Sequence, residues 1–391
     1  MSLVDIPEAR RGGATVRGLR IQLVAPAELG EREIESWRAI RRERIAGGAP
    51  ASPFMEPGFT LAIGRVRPAA RVAILWRNGE PAGFLPFERG ALGRGRAIGF
   101  GVSDCQGAVL RPGLAVTTRE LLTACGLSVW EFDNLEDGQE VLADGAAESF
   151  RSPAIDVSNG YRAYEDELRL RAPKFLKTTL AKERRLSRQA GAVRFVFDER
   201  DPAALATLMA WKSAQYRRTG RGDRFAREWI AELVRRLHGA DDPGCSGVLS
   251  VLYAGDTPVA AHFGLRSETL LACWFPAYDP AFAKYSPGLV LHLRMAEGAA
   301  AAGIDVLDLG RGDAEYKESL HTRLLRVHEG AAVRPGPGAA LHWLLREPTR
   351  RAQGFVRDRP RLAARAQRTL VGLAKLRDRR EGRREARRET P

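Results

Sequence analysis

The stretch Tyr285 to Leu320, YSPGLVLHLRMAEGAAAAGIDVLDLGRGDAEYKESL, decides the fold. Ser286, Pro287 and Gly288 form a turn, with proline near the favoured first position of a helix. From Leu289 to Ala302 the helix is apolar on nearly every side, His292, Arg294 and Glu297 being the exceptions, which predicts burial against a sheet. Gly303 ends it. A short strand, a glycine-rich loop and a short helix carrying Tyr316 and Lys317 follow. Packing alone is one reading of this arrangement; the other is a ligand seated where helix and strand begin to diverge.

Working outward, VRFVF from Val193 reads as a strand and PAALATLMAWKSAQYRR from Pro202 as a helix, with a second helix at Phe225 to His238. Three antiparallel strands then run from Ser246 to Asp279, the first pair turning at Gly255-Asp256. The first half repeats this order. Leu19 to Ala25 is a strand, and Ile34, Trp37 and Ile40 recur at helical spacing after it. RVAILWRNGEPAGFLPFERG is a hairpin turning at Asn78-Gly79. A strand in RAIGFG, a helix at Thr117 to Cys125 and a strand at Val129 to Phe132 complete that half. The pattern predicts a tandem duplication of one mixed α/β domain, each copy a mostly antiparallel sheet flanked by helices. The expected boundaries are a first lobe over residues 19–136, a linker over 137–158, a second lobe over 159–333 and a basic helical or disordered tail over 350–391.

A chain of 391 residues with 44% hydrophobic content can fill two cores. Its four cysteines are scattered, without C-x-x-C pairs or metal-spaced histidines, which argues for a reducing compartment and no structural zinc. The start of the chain has no apolar run of signal-peptide length, so a cytoplasmic location is expected. Of the net charge of +14, the segment from Arg350 to Pro391 supplies +10, with 15 Lys/Arg against 5 Asp/Glu. Leu362, Ala366, Leu370, Leu373 and Leu376 recur there at helical spacing among arginines, a pattern suited to an anionic membrane surface, a nucleic acid or a partner protein. A second basic face, Lys177, Arg184, Arg185 and Arg188 on PKFLKTTLAKERRLSR, lacks interleaved aromatics, so direct reading of nucleic acid is not expected. No Walker loop, HExxH or GxSxG motif occurs.

The order of elements, with AKYSPGLVLHLRMAEGAAAAGIDVLDLGRGDAEYK, resembles the GNAT-like acyltransferases of the CelD/BcsL branch, associated with cellulose and exopolysaccharide synthesis. The resemblance spans roughly residues 19–333, and related tandem domains occur in the Fem-type aminoacyl-tRNA transferases. It implies tandem GNAT-like domains and acyl transfer to an amine or hydroxyl, with acetyl-CoA as donor and a small-molecule or lipid-linked saccharide as acceptor. The alternatives are a Fem-like transfer from aminoacyl-tRNA or a non-catalytic scaffold of a polysaccharide synthase. The donor pyrophosphate is expected on Lys284, Tyr285, Ser286, Pro287 and Gly288. Where the superfamily loop reads R/Q-x-x-G-x-G/A, this chain has Ala283, Ser286 and Gly288, with Lys284 beside the missing base. By the same resemblance Tyr316 matches the tyrosine that protonates the departing thiolate. Asp313 and His262 are candidate bases, and Arg311, Lys317 and Glu315 are expected to meet the substrate. His292 reads as a packed or capping histidine.

Overall fold

The computed structural model describes residues 14–16 and 18–336; the basic tail and its expected helix lie outside them. The first half comprises β1 (Ala14–Val16), β2 (Leu19–Val24), α1 (Glu31–Ala46), α2 (Pro57–Val66), β3 (Ala70–Arg77), β4 (Glu80–Arg89), β5 (Arg94–Ala97), β6 (Val109–Leu110), α3 (Thr118–Ala124) and β7 (Val129–Glu136). After β8 (Ala146–Asp156) come α4 (Tyr161–Arg171), α5 (Pro173–Ala190), β9 (Val193–Val196), α6 (Pro202–Arg218), α7 (Glu228–His238), β10 (Ser246–Ala254), β11 (Thr257–Arg266) and β12 (Leu270–Tyr278). The chain continues through α8 (Pro287–Ala301), β13 (Val306–Asp308), α9 (Glu315–Leu320) and β14 (Arg323–Val333).

Local chemistry explains many of these boundaries. Asn78 and Gly79, at φ of 52° and 80°, make the left-handed two-residue turn that joins β3 to β4. The Asp201 side chain accepts from the Ala203 amide and starts α6 with Pro202 behind it. On α8, Val290, Leu291, Leu293, Met295, Ala296 and Ala299 are all buried, as an all-round apolar helix requires.

The strands form one 14-stranded mixed sheet in the order β1-β2-β3-β4-β5-β7-β14-β8-β13-β12-β11-β10-β9, with β6 paired to β4. The duplication is visible in the pairing. In the first half β5 runs parallel to β7 with α3 between them in sequence; in the second, β12 runs parallel to β13 with α8 between them. Among the described residues no helix is long and apolar enough to cross a membrane.

Half of the stretch 137–158, expected as a linker, is a strand, and a short helical turn at Glu140–Gly145 precedes it. β8 lies inside the sheet, antiparallel to β14 from Ala154↔Arg323 to Ala146↔Gly330, and also pairs with β13. β14, the last strand of the second half, pairs on its other edge with β7 of the first. The outer part of β8, AAESFRS, is polar and largely exposed, so only its long-range partners make it a strand.

The halves also share a core. Phe54 stands edge-on to Phe59 at 5.0 Å and to Trp274 of β12 at 5.6 Å, and the Trp274 indole donates to the Val102 carbonyl at 2.6 Å. Beneath α1, the buried Arg41 donates to Glu56 at 3.1 Å and lies 3.5 Å from Glu136, which also pairs with Arg44 at 2.6 Å.

β14 carries a bulge at Glu329/Gly330, where a Cβ on Gly330 would run into the Gly145 carbonyl and lie 3.0 Å from the Ala147 amide. Both obstacles are backbone. Gly330→Ala should therefore lower stability by roughly 1–3 kcal/mol, the usual scale for forced overpacking. An unchanged urea midpoint and slope would mean that the β8–β14 seam yields freely.

Candidate active site

β12 pairs with β13 only at Leu270–Ala272, so residues 273–278 of the longer strand continue with no neighbour on that side. The gap opens into two adjoining clefts. One, of about 720 Å³, runs along the N-terminus of α8 and is walled by Pro276, Tyr278, Ser286, Gly288, Asp313 and Tyr316 among others. The second, of about 530 Å³, reaches Asp104 and Asp133 of the first half and is also lined by Arg221 and Arg224 of the second. Lys212, Arg221, Pro276, His292, Arg311, Tyr316 and Lys317 line both and mark their junction.

The α8 end is open. Ser286 sits at φ 48° and makes no side-chain cap; its Oγ accepts instead from Lys182 of α5 at 2.7 Å. Arg185 and Lys284 lie over the Tyr285 ring at 5.8 and 5.0 Å, and the Tyr285 hydroxyl donates to Gln189 at 3.0 Å. α5 is held along α8 by Arg294, which donates to Glu183 at 2.8 Å. A Cβ on Gly288 would meet only the Tyr278 ring, at 3.9 Å, so the backbone there is bare towards the cleft. Pro287 has no N–H and the Leu289 and Val290 amides donate to the Ser286 carbonyl, so the Gly288 amide, the helix dipole and three nearby cations make this end fit for a polyphosphate.

The junction holds two groups of opposite character. His292 Nδ1 lies 2.6 Å from the Gly288 carbonyl. A carbonyl only accepts, so Nδ1 carries the proton and Nε2 is left as the acceptor. Burial holds the imidazole below its usual range and therefore neutral. The Tyr316 ring is 5.4 Å from it; burial, reinforced by Cys273, pushes the phenol up to about 12 and keeps it protonated. The Tyr316 hydroxyl makes no hydrogen bond among the described residues. Lys212 donates to the Pro276 carbonyl at 2.8 Å, and burial, then the nearby Arg221, pulls its ammonium down to about 8.

Several expected site residues stand elsewhere. His262 is fully buried on β11, its ring 6.3 Å from that of His292, and forms no part of either cleft wall. Neither of its ring nitrogens has a partner, and burial, then His292, pushes it well below the usual imidazole range. Glu315 is exposed and outside both clefts. Arg311 borders the junction, but its guanidinium donates to the Asp133 carbonyl at 2.6 Å and to Glu329 at 3.1 Å, and stacks on Phe150 at 4.5 Å. It staples the loop to β7 and β14. Lys317 clamps the same loop from within, donating to the carbonyls of Gly310 at 2.8 Å and Arg311 at 3.0 Å. Asp313 is exposed on the rim of the first cleft.

The family description Acetyltransferase (GNAT) domain matches residues 174–318. That match lies wholly within the second half. The chain is thus an acyltransferase, and the matched segment contains α8, the junction and both clefts' shared wall. FemX superposes with a TM-score of 0.55 at 11% identity, over 80% of this chain and 98% of that one, which shows a common fold. A tandem GNAT protein from the clavulanic acid biosynthesis pathway matches at 11% identity and a TM-score of 0.47, over 81% and 99%. The C-terminal domain of an Agrobacterium fabrum protein named for lysylphosphatidylglycerol synthesis matches at 14% and 0.49, over 80% and 96%. No curated protein matches the chain.

Within this acyltransferase the first copy is built differently at the corresponding helix. α3 has seven residues, and its N-terminus is closed by a capping box: the Thr117 hydroxyl accepts from the Glu120 amide at 3.2 Å, while Glu120 accepts from the Thr117 amide at 2.9 Å.

Lys317 is surrounded by acids. Burial pulls its ammonium down, while Asp308 and Asp104 oppose that pull. Asp104 is pushed up to about 7, by burial first and then by Asp308. Because the folded value lies above the unfolded one, ionising Asp104 destabilises the fold as pH rises through about 7, and Lys317 offsets that penalty. Lys317→Met should accordingly lower stability by about 1–3 kcal/mol at pH 8 and by less at pH 5, where Asp104 is protonated. Equal losses at the two pH values, measured by thermal unfolding, would mean that the clamp on the loop carbonyls is the whole role of the lysine.

Proposed function

We propose that this acyltransferase moves an acetyl group from acetyl-CoA to an amine or hydroxyl of a saccharide or related precursor. The observation that carries the reading is the His292–Tyr316 pair, standing where the two clefts meet beside the open end of α8. Acetyl-CoA supplies an acyl group already activated as a thioester. The Gly288 backbone, with Lys182, Lys284 and Arg185 around it, would hold the pyrophosphate. His292 Nε2 takes the proton from the acceptor atom as that atom forms its bond to the acyl carbon. Tyr316 gives its phenolic proton to the departing sulfur. Neighbouring titratable groups whose environments push them apart in this way mark the acid and the base.

The polysaccharide role rests on the resemblance of residues 283–317 to the CelD/BcsL branch and is part of the same proposal. The Fem-like alternative differs in its donor, so binding of acetyl-CoA separates the two.

Gly288→Val should abolish that binding while leaving the melting temperature close to wild type, since the added side chain enters open cleft and not protein. Equal calorimetric affinity in mutant and wild type would move the donor away from α8.

For the chemical step, Tyr316→Phe and His292→Gln should each lower kcat by about 10² to 10⁴-fold with donor affinity nearly unchanged. His292 works as a base only when unprotonated, so wild-type kcat should rise with pH through a value below the ordinary imidazole range. The phenol, at about 12, should impose no alkaline fall near pH 10. A His292→Gln enzyme that keeps both its rate and its acid limb would remove the histidine from the chemistry.

A further inference from the structure

The second cleft carries charges of both signs that the protein does not pair. Three carboxylates lie in or beside it, and two are tied. Asp133 accepts from Gln106 and from the Gly101 amide at 3.0 Å, and Asp308 from Ser152 at 2.7 Å and the Gly310 amide at 2.9 Å. Asp104 has no hydrogen bond or ion pair among the described residues, although it is half-buried in the wall. It adjoins the glycine-rich loop, since a Cβ on Gly310 would come within 3.6 Å of its Oδ2.

The opposite wall comes from the connection between α6 and α7, residues 219–227. The acid of that segment, Asp223, turns back to accept from Ser213 at 3.1 Å, Arg217 at 3.2 Å and the Phe225 amide at 3.0 Å. The guanidiniums of Arg221 and Arg224 make no hydrogen bond or ion pair among the described residues, and both line the cleft. Arg224 is close enough to Asp104 to favour its charge but does not pair with it. The space between them is what a ligand with two charges would fill.

We propose that this cleft binds the acyl acceptor, and that the acceptor is a primary amine also bearing an anionic group, with Asp104 holding the ammonium and Arg221 and Arg224 holding a phosphate or carboxylate. The inference rests on the acetyl-transfer reading and narrows its substrate. A neutral saccharide would leave all three charged groups unanswered, and an anion without an amine would face the unpaired carboxylate. An ammonium at Asp104 also brings its nitrogen to the wall that His292 and Tyr316 share. The nitrogen attacks after releasing one proton to the Asp104 carboxylate, His292 takes the second as the bond to the acyl carbon forms, and the departing sulfur takes the proton of Tyr316.

Four probes sharing one sugar frame test this, by calorimetry on the full chain without donor: glucosamine, glucosamine 6-phosphate, muramic acid and glucose 6-phosphate. Glucosamine 6-phosphate or muramic acid should bind at least about tenfold more tightly than glucosamine or glucose 6-phosphate, as charge-assisted contacts in a half-buried site allow. Preference between those two assigns the anion to phosphate or carboxylate. The double variant Arg221→Ala/Arg224→Ala should erase the advantage of the anion, and Asp104→Asn the advantage of the amine. Equal affinity for glucosamine and its anionic forms, binding of none of the four, or an unaltered preference in the variants would overturn the inference. Binding needs no donor, so failure of acetyl-CoA to bind would sink the donor reading separately, with these affinities still measured.

Discussion

Everything at the junction depends on a short parallel contact, three residues of β12 against three of β13. Had β13 run longer, backbone hydrogen bonds would have sealed the sheet beyond residue 272 and no cleft would exist. The strand instead stops at Asp308, whose carboxylate caps the turn by accepting from the Gly310 amide. Lys317 and Arg311 then hold the loop away from β12, one from inside and one from outside. The opening is thus maintained by a few hydrogen bonds placed where the ladder ends.

Much of the second half was legible because its signals are local. Pro287 after Ser286, the Gly255-Asp256 turn, Pro202 behind a capping aspartate and the all-round apolar α8 each follow from a few neighbouring residues. Tyr316 and Gly288 reached the cleft for the same reason, since a turn, helix, strand and loop in succession bring them together. What sequence could not supply is long-range. β8 is polar over its outer half and becomes a strand only between β14 and β13. Asp104 and Gly310 are adjacent in space and far apart in the chain, so no spacing pattern joins them.

The histidines make the same point at a finer scale. His262 and His292 both lie among apolar neighbours, and sequence favoured the strand residue as a base. The structure separates them by what each ring nitrogen meets. On β11 the side chain points into the core, where neither nitrogen finds a partner. On α8 the ring folds back on its own first turn, fixes its tautomer against the Gly288 carbonyl and lines both clefts. A helical histidine four residues from an uncapped N-terminus was the available signal, and its usual meaning is packing.

The two copies have diverged at a single kind of place. In α3 a threonine and a glutamate satisfy the helix end from within, so the first copy has closed off the position that its twin leaves open. Its surface contribution lies elsewhere: the segment around Asp104 and the β7 edge at Asp133 furnish one wall of the neighbour's cleft. The two halves thus differ in what they contribute: the second supplies the open helix end and most of the cleft lining, and the first supplies part of the enclosure. On the proposed reading, a substitution in the first half would alter turnover at a centre in the second without touching a residue proposed to hold the donor.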